Sequence, residues 1–379
     1  MRSNNTYEKL DSHVFVTKLA GFEHSEYIQP NATREKVNPS DIPMVQGKNI
    51  RNGVFVKEYD WYISDNISQL LHRSVLDKEC ILIPYVGSNL GEVGIFYNHE
   101  KCHLASNVAK IELTDDEYDL EYVKYYLLSP IGQQFLFREK QGSSQPNITM
   151  QSIRDTMIIK RSTQEQRQIV KVLLSLDKKI ENNNAINDNL AQVVKCCFDY
   201  MFATHKVNGI LKDILCENAK STIQVNDSAG VLGDYPFFTS GETVNEWKTS
   251  LVDGMNCYLS TGGNATIKGY YGKAAYSTDT WCIYGKGEYS FYLYWYLKSI
   301  IRSINDSFFA GSGLKHLQKD SLLLVNLYIP TEKELEKFNA VAKPAMETMA
   351  KLFIETKKLK QQRDFLLPLL MNGQATISE

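Results

Sequence analysis

The sequence predicts an α+β chain made twice over: two tandem mixed α/β domains, separated and followed by long helices that pair as an antiparallel coiled coil. Three observations predict it. A stretch of about two dozen residues recurs at a fixed offset. Both copies end in the same helix-start motif. Both helical runs that follow keep apolar 4-3 spacing in one register.

The repeat is the firmest of the three. GSSQPNITMQSIRDTMIIKRSTQEQ, from Gly142, moved by 169 positions lands on GSGLKHLQKDSLLLVNLYIPTEKEL, from Gly311. Ile148 falls on Leu317, Ser152-Ile153 on Ser321-Leu322, and Ile158 on Leu327. Ser162-x-x-Glu165 falls on Thr331-x-x-Glu334. A hydroxyl followed three residues later by Glu is a capping box, in which each side chain satisfies a backbone N–H of the other residue.

Both helices are read from the residues beyond these caps. Ile169, Leu173, Leu176, Ile180, Asn183, Asn187, Leu190, Val194, Cys197 and Met201 follow strict 4-3 spacing. At the same offset stand Phe338, Ala342, Ala345, Met349, Leu352, Thr356, Leu359, Arg363, Leu366 and Leu370. A 3.5-residue period is the seam of a coiled coil. One such stripe could equally be an amphipathic helix lying on a globular core; two in one register favour the pair. Asn183 and Asn187 place polar groups on the seam, where they fix register at some cost in stability. Arg363 is expected to snorkel to water. Pro344 removes a helical N–H and predicts a kink or break.

Weaker echoes run upstream. DIPMVQG (41–47) matches DYPFFTSG (234–241), CILIPYVGSN (80–89) matches CYLSTGGN (257–264), and YVKYYLLS (122–129) matches YLYWYLKS (292–299). Strand-like runs bounded by glycines, ECILIPYVG and GEVGIFY, then MNCYLST and GYYGKAAY, fill the domains. The Tyr-rich segments LEYVKYYLLSPIGQQFLF and YSFYLYWYLKSIIRSI read as helices. Their aromatics either pack a core or form a stacking surface. The acidic TDDEYD (114–119) reads as a solvated turn that complements a helix N-terminus. The expected domains are 1–161 and 204–330, with spacer helices over 162–203 and 331–373. The first helix would run nearly 60 Å at ~1.5 Å per residue, and antiparallel pairing would relate the copies by a pseudo-two-fold axis.

Composition excludes several classes. With 379 residues two domains are expected. Seven cysteines without a CxxC pair suggest reduced thiols of a cytoplasm and no metal site. MRSNNTYEKLDSHVF lacks the apolar core of a signal peptide, and no apolar run approaches the ~20 residues of a membrane span. The formal net charge of −2 does not advertise nucleic-acid binding. There is no NPPY-type methyltransferase motif, GYYGK (269–273) has the wrong spacing for a phosphate loop, and no nucleophile elbow is present.

On its layout and its paired GS-containing loops and S/T-x-x-E helix starts, the chain resembles the specificity (S) subunit of a type I restriction-modification system. The resemblance spans nearly the whole chain. It implies two target-recognition domains, each reading one half of a bipartite site in double-stranded DNA. It implies helices that set the gap and dock two methyltransferase subunits, joined by restriction and translocase subunits. It implies a non-catalytic chain whose partners methylate and cleave, no cofactor in this chain, S-adenosylmethionine in the partner methyltransferases, and a prokaryotic cytoplasmic setting.

Candidate DNA-facing residues lie in loops. QGKNIRNG (46–53) offers Lys48, Asn49, Arg51 and Asn52; Arg can read guanine and Asn adenine by bidentate bonds. VGSN and TGGN offer Ser88, Asn89 and Asn264. Ser106 and Asn107 match Ser277 and Thr278, and DYPFFTSG adds Thr239 and Ser240. The segments before the helices offer Ser143, Ser144, Gln145 and Asn147 in the first copy, and Ser312, Lys315 and His316 in the second. Small residues there permit close approach to phosphates. For several of these loops a simple solvated turn remains the alternative. Three other functions stay open at this point: a methylation-only or fused system, a scaffold that binds no DNA, and an enzyme with an unfamiliar site.

Overall fold

A computed structural model describes residues 6–51, 53–98, 100–138, 146–311, 313 and 315–377. The chain divides into two compact units, Met1–Lys178 with Leu359–Glu379, and Lys179–Lys358. Each unit holds one mixed α/β domain and a part of both long helices.

In unit one an antiparallel sheet runs in the order Val14–Lys18, Val108–Leu113, Cys80–Pro84, Gly94–Phe96. Its two central strands are buried on both faces. Ile81, Ile83 and Ile111 pack toward the helices, while Cys80, Leu82 and Val108 fill a second core on the other side. That second side is closed by a smaller sheet in which Ile42–Val45 runs parallel to Cys102–Leu104 and antiparallel to Tyr62–Ile63. The domain is tied off where Tyr7–Lys9 pairs with Met157–Ile159, the strand that leads into the first long helix.

Unit two repeats this plan. Its sheet runs Leu215–Glu217, Thr280–Gly285, Met255–Ser260, Ile267–Tyr271. The smaller sheet again pairs one strand, Tyr235–Phe238, parallel to Ala275–Tyr276 and antiparallel to Val244–Trp247. Gly209–Ile210 pairs with Asn326–Leu327, the strand before the second long helix. The short helices Met150–Arg154 and Lys319–Leu323 stand 169 residues apart, as do the long helices Thr163–Phe202 and Glu332–Met371 at both ends.

Both capping boxes form. Ser162 and Thr331 donate their N–H groups to Glu165 and Glu334, at 3.0 and 2.8 Å. The reverse bonds, from the Glu165 and Glu334 N–H groups to the hydroxyls, are 3.3 and 3.4 Å.

The tyrosine-rich segments resolve in favour of core packing. Tyr122, Tyr125, Tyr126, Tyr292 and Tyr294 are buried. Tyr122 and Tyr126 donate to the carbonyls of Ile159 (3.3 Å) and Met157 (2.5 Å). Their counterparts Tyr292 and Tyr296 donate to Tyr328 and Asn326. The tyrosines thus pin the strand that precedes each long helix. Each segment is two helices rather than one: Leu120–Leu128 with Pro130–Leu136, and Ser290–Ser299 with Ile301–Ser307. In the first, Pro130 ends one helix and opens the next, capped by Ser129. Asp119, at the end of the acidic turn, caps Leu120–Leu128 by accepting from the Glu121 and Tyr122 N–H groups.

Within each unit the long-helix segments lie side by side and antiparallel. In unit one Ile169, Val170 and Leu173 share a core with Leu366, Leu370 and Met371, and Arg363 reaches Asp177 at 3.1 Å. In unit two Val194, Phe198 and Phe202 share a core with Phe338, Ala342, Ala345 and Met346. There Asn183 donates to Glu355 at 3.3 Å. Residue numbers rise along one helix as they fall along the other.

Four expectations are corrected in detail. Pro344 does not break its helix, which is continuous from Glu332 to Met371. Arg363 does not snorkel but pairs with Asp177 and Asp364. The seam does not hold 4-3 spacing to the end of the first helix: Phe198 and Phe202 are buried, whereas Cys197 and Met201 are only half-buried. A 3.6-residue helix drifts by about 20° per heptad against a 3.5 repeat, so the buried face moves on by one position. The cysteine match is one residue out. The ladders pair Ile111 with Ile81 and Ile283 with Cys257, which makes Ile81, not Cys80, the counterpart of Cys257. Cys80 and Cys257 face different cores accordingly.

Candidate nucleic-acid interface

In unit one, four loops meet at the end of the central sheet. Tyr85 is the hub. Its N–H donates to the Asn107 carbonyl (3.1 Å), its carbonyl accepts from the Ile148 N–H (3.0 Å), and its hydroxyl donates to the Ser106 carbonyl. The Lys18 ammonium lies 4.4 Å from the centre of its ring. Asn107 accepts from the Gly47 N–H (3.2 Å), and Asn89 donates to the Ile50 carbonyl (2.9 Å). These bonds hold the segments 46–51, 85–91, 105–107 and 146–148 together. Gln46, Ser106 and Asn107 from two of these loops line a cleft of about 410 Å³ together with Gln29 and Trp61.

Unit two builds the same junction with other side chains. The Thr261 N–H donates to the Asp279 carbonyl (3.2 Å) and its carbonyl accepts from the Leu317 N–H (3.0 Å). Gly263 donates to the Lys315 carbonyl (2.9 Å). Thr261 is the structural counterpart of Tyr85. Gly87 and Gly263, two residues on, both adopt positive φ (97° and 78°), a turn that only glycine makes without strain. Nearby, the Lys268 ammonium donates to the carbonyls of Thr239 (2.9 Å) and Gly241, and burial pulls its pKa below the usual lysine value.

Residues 26–192 match the sequence profile of the type I restriction modification DNA specificity domain. This segment, just under half of the chain, is similar to that DNA specificity domain. The chain is 28% identical over 148 residues to the type I restriction enzyme EcoDI specificity subunit of Escherichia coli. That match covers 38% of this chain and 33% of the relative, so it spans about a third of the curated protein's length. In fold the chain is similar to the crystal structure of the type I restriction-modification system S subunit from M. genitalium. The TM-score is 0.64 and identity 15%, over 99% of this chain and 97% of that one.

The predicted site residues fall into three groups. Some side chains are committed within the protein. Asn49 is fully buried and donates to the Val56 and Glu58 carbonyls, both at 2.8 Å. Ser277 is buried against the Thr280 hydroxyl at 2.8 Å, and buried Thr239 donates to the Thr243 carbonyl at 2.9 Å. Asn89 and Asn107 knit the loops as described, and half-buried Ser106, Ser240 and Thr278 contribute backbone groups to their junctions.

Others present polar atoms at the surface. Ser88, Asn147, Asn264, Lys315 and His316 are exposed, and Ser88 donates to Asn89 at 2.9 Å. Lys48 and Arg51 are balanced by Asp60 (2.5 Å) and Glu58 (2.6 Å), so their loop carries little net charge. The third group, Asn52, Ser143, Ser144, Gln145 and Ser312, lies outside the described residues.

The seam residues Ile169, Leu173, Leu176, Ile180, Asn183, Asn187, Leu190 and Val194 are all buried or half-buried, as are Phe338, Ala342, Ala345, Met349, Leu352, Leu359, Leu366 and Leu370. Sequence reasoning missed Tyr85, Thr261, Lys18 and Lys268. Tyr85 and Thr261 could have been found as the residues that end a strand two positions before a matched glycine. Among the described residues, no cluster of three or more His, Cys, Asp or Glu side chains could hold a metal. Among them, too, no helix is long and apolar enough to cross a membrane.

Proposed function

We propose that this chain is the DNA-recognition subunit of a type I restriction-modification assembly, with one half of a bipartite site in double-stranded DNA read by each unit. The observation that carries this reading is the loop junction built twice, on matching backbone hydrogen bonds, in a chain whose residues 26–192 are similar to a DNA specificity domain. A reader of two half-sites needs a fixed backbone frame with interchangeable side chains. The two junctions share their backbone frame and differ in exposed side chains: Ser88 stands where unit two has Asn264, and Asn147 where it has His316.

Exposed Arg51, Ser88 and Asn147 in unit one, and Asn264, Lys315 and His316 in unit two, are the base- or phosphate-facing residues of this reading. The long helices set the unread gap and dock two methyltransferase subunits, with restriction and translocase subunits joining that core. Methylation and cleavage belong to those partners, and S-adenosylmethionine to the methyltransferases, in a prokaryotic cytoplasm. In this reading the domains are 1–161 and 204–330 and the spacers 162–203 and 331–373, which the positions of the two caps support.

With Lys48 and Arg51 paired to acids and a net charge of −2, the isolated chain is expected to bind DNA weakly. The test is the methylated motif in cells that carry loop variants. Arg51→Ala with Asn147→Ala should relax one half of the motif, and Lys315→Ala with His316→Ala the other. Variants that altered both halves together, or neither, would count against one reader per unit.

A further inference from the structure

The two copies share one register, so each level of the long-helix pair in unit one has an equivalent level in unit two. The equivalents differ in a systematic way. In unit one Asp177 meets Arg363 at 3.1 Å, and the Tyr125 hydroxyl donates to the other Asp177 oxygen at 2.6 Å. The counterparts of Asp177, Arg363 and Tyr125 in unit two are Met346, Val194 and Trp295. All three are buried in one apolar core, at 2%, 0% and 2% exposure. A level deeper along the pair, the antiparallel register of Asp177 with Arg363 brings Leu173 level with Leu367 in one core, and that of Phe202 with Phe338 brings Phe198 level with Ala342 in the other. Two leucines fill about the space of an alanine and a phenylalanine, so both levels are packed by different routes.

We propose that this interface is a pairing code: the N-terminal copy fits the C-terminal copy, and neither fits a second copy of itself. Pairing two N-terminal copies would set Asp177 against Val194 and Leu173 against Phe198 at both ends. The carboxylates lose their guanidinium, and the leucines collide with a larger neighbour. Pairing two C-terminal copies would set Arg363 against Met346 and Leu367 against Ala342. The guanidinium then faces an apolar wall, retaining only Asp364, and a void opens beside Ala342. Specificity here is the difference between matched and mismatched levels, and both a charge term and a size term favour the mixed pair. Asn183 adds a third such level: it bonds Glu355 in the mixed pair and would oppose Ile186 in an N-terminal homodimer. The occupant of each half's helix face is therefore the other half of the same chain. This inference concerns assembly and stands whether or not the loops read DNA.

The test uses the full chain carrying a protease site inserted between Phe202 and Gly209, cut after folding. The nicked protein is unfolded, refolded, and weighed by native mass spectrometry. The mixed pair should dominate, with homotypic pairs at least about tenfold below statistical proportion. The nicked variant Asp177→Met with Arg363→Val, in which each position takes its counterpart's residue, should shift toward the homotypic pairs. Statistical mixing by the wild-type halves would overturn the code. A second measurement needs no nicking: in the intact chain that double variant should cost less stability than its two single substitutions added. Strict additivity would remove the coupling on which the code rests.

Discussion

At the residue scale, the hydroxyl–glutamate caps were legible from spacing alone, because a capping box is a local contract between residues three apart. Hydrogen bonds from Ser162 and Thr331 hold the Glu165 and Glu334 carboxyls below their ordinary value. A depressed folded-state pKa contributes stability that is present above the unfolded value and lost as pH falls through the folded one. Stability should therefore decline on acidification below about pH 5, and less steeply in a Glu165→Gln, Glu334→Gln variant, as read by urea titration at several pH values. Parallel slopes for the two proteins would show that the caps are not linked to protonation. Ser162→Ala or Thr331→Ala should each cost about 1 kcal/mol. What spacing could not show is the long-range partner. Asn49 looked like a base reader and is instead a strut of its own loop. Arg363 looked like a snorkelling seam residue and is instead bound to an acid 186 positions away.

At the element scale, a heptad stripe announces a helix and its apolar face, but not how the stripe drifts. A sequence keeps strict 4-3 spacing at no cost, whereas a nearly straight helix moves its buried face to Phe198 and Phe202. Strand registers were legible where a proline marked them: the match of DIPMV with DYPFF agrees with the ladders Pro43–Tyr62 and Pro236–Glu246. They slipped by one where a shared cysteine was the guide. Nothing local distinguishes a buried cysteine on one face of a sheet from one on the other. Phe338 tests the packing of the helix pair in unit two. It is fully buried, with ring centres 5.9 and 5.4 Å from Phe198 and Phe202. Phe338→Ala should cost about 3–5 kcal/mol in a denaturation experiment. A loss under about 1 kcal/mol would mean that the aromatic cluster does not hold the pair.

At the scale of the whole molecule, duplication explains why so much was readable. Two copies of one plan provide their own alignment, and every device found twice is less open to coincidence. The side chains that the junctions present are where the copies diverge, so the repeat that exposed the fold is silent on what those side chains contact. The long helices should act as a ruler. Inserting one heptad at matched points in both, about 10 Å of helix, should widen the unread gap and leave both half-sites unchanged. The most direct test of the central claim is the genome-wide methylation pattern of cells with and without this chain. A split motif, two short defined halves around a fixed unread gap, should be methylated only when the chain is present. A pattern that persists without the chain, or a motif with no gap, would contradict it.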